Sequence, residues 1–291
     1  MNDDLRMVYE SRNRAECSDR ALVLTAAGIP FQMVDDIASC ALLVPAEFSA
    51  RAMDELIQYD DENPPQVASK PLPLTAYNAL PGLIGFVLVV CGIAVAADLA
   101  PFNKDWYAAG RVDGVLIRSG EWWRTVTALT LHADLEHLVG NLVFGIMFGL
   151  FAGRLLGSGV AWLSIVVAAA AGNALNTLLL ESVHRAVGAS TAVFAALGLV
   201  AGYVWRGKLM AQDRWPYRVG PIVGGFALLM YTGTGGERTD IGAHLMGFLF
   251  GLLGGMFLTA VRDSFAEQRL QMICGGAALA LIVGAWAMAI M

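Results

Sequence analysis

Seven apolar runs, separated mostly by short polar connections, occupy the chain from residue 79 onwards. A helix needs about 20 apolar residues to cross a bilayer core about 30 Å thick, and most of these runs have that length. Because 57% of the 291 residues are hydrophobic and only 15% are charged, a disordered chain, a collagen-like fibre and an ordinary soluble enzyme are excluded. We therefore predict an all-α polytopic membrane helix bundle. The predicted spans are Ala79–Leu99, His137–Leu156, Val160–Leu180, Gly188–Trp205, Val219–Tyr231, Ile241–Val261 and Met272–Ile290.

The first 75 residues differ in composition from the rest, with thirteen acidic and six basic side chains. Residues 1–60 have the pattern of a small soluble α+β domain, and the proline-rich residues 61–75 are typical of a linker. The predicted elements are strand Leu5–Tyr9, helix Asn13–Ala27, strands Phe31–Val34 and Ala41–Val44, and helix Ala46–Tyr59. The start of the chain lacks a basic segment followed by an apolar run, so no cleaved signal peptide is expected. Four widely spaced cysteines match no metal-binding pattern.

Basic residues predict the orientation in the membrane. If the N-terminal domain is cytoplasmic, the cytoplasmic connections between spans hold seven Lys and Arg residues, whereas the opposite short connections hold two. Cytoplasmic loops carry an excess of such residues, so we expect a cytoplasmic N-terminus and an exported C-terminus. Nothing in the charge distribution favours nucleic-acid binding, because the acidic residues gather in the N-terminal domain and the remainder is nearly neutral.

Three polar groups interrupt otherwise apolar spans, all at the predicted non-cytoplasmic side. They are His132, His137 and Asn141 at the second span, Gly188 to Ala192 around Ser190 at the fourth, and His244 at the sixth. Polar groups at one depth can meet in one cavity, and ionisable residues inside a membrane are functional candidates.

Each polar group also has a simpler interpretation. A single serine in a membrane helix usually bonds to its own backbone. His132, His137 and His244 are a conceivable zinc set, but no carboxylate or cysteine completes it. His184, in a short connection beside Arg185, is expected to be solvated.

The motifs taken in order resemble the rhomboid family of intramembrane serine proteases. The resemblance covers roughly residues 79–262 and uses four separated motifs. These are Trp123-Arg124 with His132, His137 with Asn141, Gly188-Ala189-Ser190, and Ala243-His244-Leu245-Met246-Gly247. It implies a six-helix protease core over residues 76–262, followed by an extra C-terminal transmembrane helix over residues 263–291.

The resemblance also implies roles for individual residues. Ser190 matches the nucleophile and His244 the general base. His137 and Asn141 match the side chains that stabilise the oxyanion together with the Ser190 backbone N–H. Supporting positions are matched by His132, by Gly188 two residues before the nucleophile, and by Phe194, where many members have a tyrosine that stacks on the catalytic histidine.

The family works without a metal or organic cofactor, and its substrates are membrane proteins cut within or beside a transmembrane helix. Asp240, four residues before His244, is a further candidate as the third member of a triad.

Gly247, Gly251 and Gly255 form a small-residue stripe that predicts close packing of the sixth span against the fourth.

Two alternatives and several partners remain open. A rhomboid-like protein that binds membrane clients without cutting them is the main alternative, and a small-molecule transporter is the second, although no internal repeat supports it. The expected partners are transmembrane substrates and the lipid bilayer, with no nucleic acid. The N-terminal domain is similar to small bacterial signalling domains; it would bind a regulatory partner, gate the bundle or only aid folding. The expected location is a bacterial inner membrane.

Overall fold

The computed structural model describes residues 4–36, 39–63, 76–179, 184–207, 215–233 and 240–291. The chain divides into two compact units, Met1–Ala68 and Ser69–Met291, and each is described separately. Most of the predicted linker, residues 64–75, lies outside the described residues.

The N-terminal unit is a three-stranded antiparallel sheet with two helices. Its elements are β1 Leu5–Ser11, α1 Arg14–Ala26, β2 Gln32–Asp35, β3 Cys40–Pro45, a 3-10 turn Ala46–Phe48 and α2 Ser49–Glu62. The strand order is β1-β3-β2, with Leu5 opposite Pro45 and Gln32 opposite Leu43. Alternate residues of β3 are buried with residues of both helices, as expected for a strand with one covered face. This order of elements confirms the predicted α+β fold.

The membrane unit begins with α3 Leu80–Leu99 and a long loop, residues 100–134, which we call L1. L1 contains three short α-helices, two 3-10 turns and one short strand. In chain order they are the 3-10 turn Pro101–Asn103, α4 Trp106–Gly110, β4 Val112–Asp113, α5 Gly114–Arg118, α6 Arg124–Thr127 and the 3-10 turn Ala128–Thr130. β4 pairs with β5 Arg185–Ala186. The side chain of Arg124 is buried and donates to Glu121 Oε2 at 2.7 Å and to the carbonyl oxygen of Ala108 at 2.8 Å. L1 is therefore a folded structure held by internal hydrogen bonds.

Six further helices follow in the described part of the membrane unit, and each coincides with a predicted span. They are α7 Leu135–Leu156, α8 Ser158–Leu179, α9 Ser190–Arg206, α10 Trp215–Gly233, α11 Ile241–Leu258 and α12 Gln268–Ile290. Within the described residues, five helices are long and apolar enough to cross a membrane: α3, α7, α8, α11 and α12. The shorter apolar helices are Ser190–Arg206 and the Val219–Tyr231 part of α10. The chain is thus an integral multi-pass membrane protein.

The predicted glycine stripe of α11 packs against the backbone of α9. A Cβ atom on Gly247 would lie 2.4 Å from the carbonyl oxygen of Thr191, and one on Gly251 would lie 2.1 Å from that of Ala195. On α9, a Cβ on Gly198 would lie 2.1 Å from the carbonyl oxygen of Phe248. Such distances leave no room for a methyl group, so the two backbones are in direct contact. We call this contact the glycine seam.

Candidate active site

Ser190 is the first residue of α9, half-buried and preceded by an unusual turn. Gly188 has a φ of +143°, a conformation that side chains disfavour, and its N–H donates to the carbonyl oxygen of Ala128 at 2.9 Å. This turn explains why α9 begins at Ser190 rather than at Gly188 as predicted. The first N–H groups of a helix lack intrahelical acceptors, so Ser190 lies where backbone donors are concentrated.

His244 lies in the first turn of α11 and is 7% exposed. Its ring centroid is 4.5 Å from that of Phe194, with 42° between the ring planes. Phe194 is four residues after Ser190, and residues at this spacing share a helix face. At the glycine seam, Gly247 meets Thr191, the residue after Ser190. The fold therefore brings Ser190, Phe194 and His244 to the same end of the α9–α11 pair.

Gly188 allows two other residues of the candidate site to approach the turn closely. A Cβ atom on this residue would lie 2.9 Å from His137 Nε2 and 3.4 Å from Ser190 Oγ. Because glycine has no Cβ, the imidazole ring of His137 and the hydroxyl of Ser190 can both lie close to the backbone of residue 188.

His137 and Asn141 lie one turn apart on α7. Asp134 caps this helix by accepting from the His137 backbone N–H at 2.8 Å. The buried Asn141 amide donates from Nδ2 to the His137 carbonyl oxygen at 2.9 Å. This bond uses one of the two N–H groups of the amide and fixes the side chain along the helix.

His132 is a buried residue of L1, 3% exposed, next to the turn before Ser190. Its Nε2 accepts from the Ala189 backbone N–H at 3.4 Å, and its carbonyl oxygen accepts from the Tyr107 hydroxyl at 2.7 Å. Burial, together with the neighbouring His137 ring, lowers the pKa of His132 to about 4. The neutral ring at pH 7 keeps an acceptor nitrogen for Ala189. His132 thus ties L1 to the turn that carries Ser190.

The prediction that His184 is only solvated is wrong. Its Nε2 lies 2.7 Å from Asp240 Oδ2, so that His184, the residue before β5, is bonded to the residue that precedes α11. Asp240 caps α11 by accepting from the Ala243 N–H at 2.9 Å, and both of its carboxylate oxygens lie 3.1 Å from Asn176 Nδ2. These bonds make Asp240 a cap and a link between elements, a geometry different from the triad role considered above.

Two asparagines of α8 support the site and were missed from the sequence. Asn173 accepts at Oδ1 from the Thr191 hydroxyl at 3.0 Å and donates from Nδ2 to the Thr125 carbonyl oxygen at 2.9 Å. It therefore joins α8, α9 and L1 directly behind Ser190. The sequence did contain a signal, because Asn173 and Asn176 are amides three residues apart in an apolar segment, and polar residues in membrane helices often bond across to neighbouring helices. In the structure both side chains are buried.

Within the parts of the chain that the structure describes, no group of three or more His, Cys, Asp or Glu side chains is arranged to hold a metal ion. The alternative of a zinc set formed by His132, His137 and His244 therefore has no geometric support.

Comparison with known proteins identifies the class to which this fold and site correspond. Residues 119–261 match the rhomboid domain. "Putative rhomboid protease YdcA" of Bacillus subtilis (strain 168) is 32% identical over 157 residues, which cover 53% of this chain and 73% of that protein. "Rhomboid-like protease 3" of Toxoplasma gondii is 35% identical over 169 residues, 57% of this chain and 63% of that protein.

The chain belongs to the rhomboid family. A third relative, "Rhomboid protease GluP" of Bacillus subtilis (strain 168), is 26% identical over 202 residues, 68% of this chain and 35% of that protein. The matched segments thus cover less than two thirds of the Toxoplasma relative and of the last Bacillus one. The rhomboid match ends before α12, which starts at Gln268.

Proposed function

We propose that this chain is an intramembrane serine endopeptidase that cleaves transmembrane segments of membrane proteins through a Ser190–His244 dyad. The observation that carries the proposal is the stacking of Phe194 on His244 at 4.5 Å, at the end of the seam where α9 begins with Ser190. Relatives that are named rhomboid proteases support the same chemistry. In this proposal residues 76–262 are the protease core and residues 263–291 an additional helix.

The proposed reaction starts with proton transfer from the Ser190 hydroxyl to the neutral imidazole of His244. The serine oxygen forms a bond to the scissile carbonyl carbon, and the carbonyl oxygen becomes an oxyanion. The protonated His244 then gives its proton to the leaving amine as the C–N bond breaks. Water, deprotonated by His244, then attacks the carbonyl carbon of the acyl-enzyme. The ester C–O bond breaks, the Ser190 oxygen takes the proton back from His244, and the carboxylate product leaves. No metal or organic cofactor takes part in this scheme.

We assign the oxyanion to a position near Gly188, where the His137 ring and Ser190 approach each other. Its donors are the His137 ring nitrogen Nε2 as an N–H, the Ser190 backbone N–H and the remaining N–H of the Asn141 amide. Loss of one such donor typically costs about 100- to 1,000-fold in rate. His132 supports the site indirectly, through its hydrogen bond with Ala189.

The orientation and location are also part of the proposal. The excess of basic residues in alternate connections supports a cytoplasmic N-terminal unit, in a bacterial inner membrane. The site would then open towards the exported side. We also propose that the N-terminal unit binds a regulatory partner, because its sequence is similar to small bacterial signalling domains.

The test is labelling by a fluorophosphonate probe together with cleavage of a model transmembrane substrate in proteoliposomes. Ser190→Ala should abolish labelling and lower cleavage more than about 1,000-fold, and His244→Ala should abolish labelling as well. Ser158→Ala is the matched control, since Ser158 is also the first residue of a helix but donates to the Asn78 carbonyl oxygen at 2.7 Å. Absent labelling and cleavage in the wild type, with clients retained on purification, would instead favour the client-binding alternative.

A further inference from the structure

The last helix of the chain inserts an indole ring into L1. Trp286 of α12 is 5% exposed, and its Nε1–H donates to the Thr130 hydroxyl at 3.0 Å. Its ring centroid lies 4.7 Å from that of Trp106 in α4. A Cβ atom on Gly110 would lie 2.5 Å from the edge of the same ring, so L1 is closely fitted around it. Trp286 lies outside the matched rhomboid domain, residues 119–261, whereas its hydrogen-bond partner Thr130 lies within it.

Thr130 connects this indole to the candidate active site. Its hydroxyl accepts from Trp286 and donates to the Thr127 carbonyl oxygen at 2.7 Å, so its orientation is fixed from both sides. Leu131, fully buried, and then His132 follow it in the chain, and His132 accepts from the Ala189 N–H. The residue that bonds to α12 and the residue that bonds beside Ser190 are therefore separated only by Leu131.

The second segment that leads to Ser190 packs in the same place. Val187, the residue before Gly188, belongs to the hydrophobic cluster formed by Trp286, Trp106 and Leu131. Both segments that deliver the site, residues 130–132 and 187–190, thus have a neighbour packed in the cluster around Trp286. The two segments are therefore held by apolar packing around Trp286 and by the hydrogen bond from Trp286 to Thr130.

The other end of α12 is fixed to the core of the bundle. Gln271 Oε1 accepts from the Gly159 N–H at 2.9 Å and from the Val160 N–H at 3.2 Å. Its Nε2 donates to the carbonyl oxygens of Leu156 at 2.9 Å and Phe265 at 3.0 Å. The whole hydrogen-bonding capacity of one glutamine amide therefore holds α12 at the turn between α7 and α8. Held at both ends, α12 is a fixed support for L1.

We propose that α12 positions the active site, and that Trp286 is a positioning residue that acts through Thr130 and His132 on the turn carrying Ser190. This inference rests on the proposed function. Trp286 does not touch the reacting atoms. Its effect is to keep His132 at hydrogen-bond distance from Ala189, so that the Ser190 N–H and hydroxyl keep their places relative to His137 and His244.

The principal variant is Trp286→Phe, which keeps an aromatic ring and removes the N–H donor. We expect a roughly 3- to 10-fold lower rate of fluorophosphonate labelling at Ser190, the effect of one buried hydrogen bond, and a lower kcat with unchanged KM for a transmembrane substrate. Trp162→Phe is the matched control. Trp162 stacks on Phe86 at 4.9 Å, and its Nε1 has no hydrogen-bond partner among the described residues, so labelling should not change.

Thr130→Val tests whether Trp286 acts on the site through Thr130. It also provides a test if the Trp286→Phe protein does not fold. Alone it should reduce labelling at least as much as Trp286→Phe does, because it removes the bond from Trp286 and also the bond to the Thr127 carbonyl oxygen. The double variant should lose no more than Thr130→Val alone, because the bond that Trp286→Phe breaks is then already absent. Additive losses, or wild-type rates in both single variants, would overturn the proposed route.

Hydrogen exchange separates this inference from the proposed function, since it needs no activity. Trp286→Phe should speed amide exchange in residues 128–132 and 187–190, whereas Trp162→Phe should not. Unchanged exchange in these segments would overturn the positioning role. Faster exchange together with an unlabelled wild-type Ser190 would support the positioning role and reject the protease assignment.

Discussion

At the scale of single residues, Gly188 combines two requirements that only glycine meets. Its φ of +143° is unfavourable for other residues, and a Cβ atom there would lie 2.6 Å from His137 Cε1. The first requirement sets the start of α9 at Ser190. The second allows the His137 ring to lie against the backbone next to the Ser190 hydroxyl. One residue therefore determines both where α9 begins and how closely His137 approaches Ser190.

Gly188→Ala should lower kcat for a transmembrane substrate by at least about 100-fold, the effect of losing an oxyanion donor, because the added methyl group displaces His137. Gly120→Ala in L1 is the matched control: Gly120 has a φ of +114°, and a methyl group there would meet nothing within 4 Å. Both variants should lose about 1–3 kcal/mol of stability from backbone strain. Equal activity in the two variants would contradict the proposed role of His137 as an oxyanion donor.

Residue identities could be predicted better than their partners. The motif residues Ser190, His244 and Gly188 stood out because they are polar or small within apolar sequence. The partnership of His184 with Asp240 did not, since 56 residues separate them and no local pattern indicates that the two connections meet. A hydrogen bond between distant loops depends on the path of the whole chain, which sequence spacing does not contain.

At the scale of elements, the glycine seam determines how α9 and α11 present their side chains. The contact of Gly251 with Ala195 and of Gly255 with Leu199 brings backbone against backbone. The stripe in the sequence predicted this packing, because glycines at four-residue spacing share one helix face. The exact start of α9 could not be predicted, because it depends on the tertiary hydrogen bond from Gly188 to Ala128.

Gly251→Ala should separate α9 from α11, since its Cβ would lie 2.1 Å from the Ala195 carbonyl oxygen. We expect a loss of about 1–3 kcal/mol in the free energy of unfolding and slower substrate cleavage, because Ser190 and His244 lie on opposite helices. Gly254→Ala provides the comparison: its Cβ would meet Leu199 Cδ1 at an ordinary 3.6 Å, and alanine favours a helix. Thermal unfolding in detergent, read alongside cleavage, checks both. A Gly251→Ala protein as stable as Gly254→Ala would refute the seam.

At the scale of the whole molecule, the two units have separate hydrophobic cores. The N-terminal unit is built around Leu24, Leu42 and Val44, and the membrane unit around residues such as Ile165 and Leu199. A unit with its own core can fold by itself. The alternation of strands and helices in the first sixty residues made the N-terminal fold predictable, whereas its role is not encoded in any motif.

Removing residues 1–68 should therefore leave the unfolding temperature of the membrane unit unchanged. The measurement is thermal unfolding of the truncated chain in detergent, with cleavage recorded in parallel. Leu42→Ala in the full-length chain is the control, because it disrupts the N-terminal core without removing the unit. Since Leu42 is fully buried, this change should lower the stability of the N-terminal unit by about 2–5 kcal/mol. A lower unfolding temperature after truncation would mean that the units are not independent; a changed cleavage rate at the same temperature would support gating.

In the proposed protease, the backbone contact between α9 and α11 also restricts where a substrate segment can enter. Side chains between helices can change rotamer and let the helices slide, but a seam of glycines against carbonyl oxygens has no such freedom. The two helices should therefore move together as one rigid unit. We expect a substrate segment to enter the bundle between other helices, so that its entry does not change the positions of Ser190 and His244.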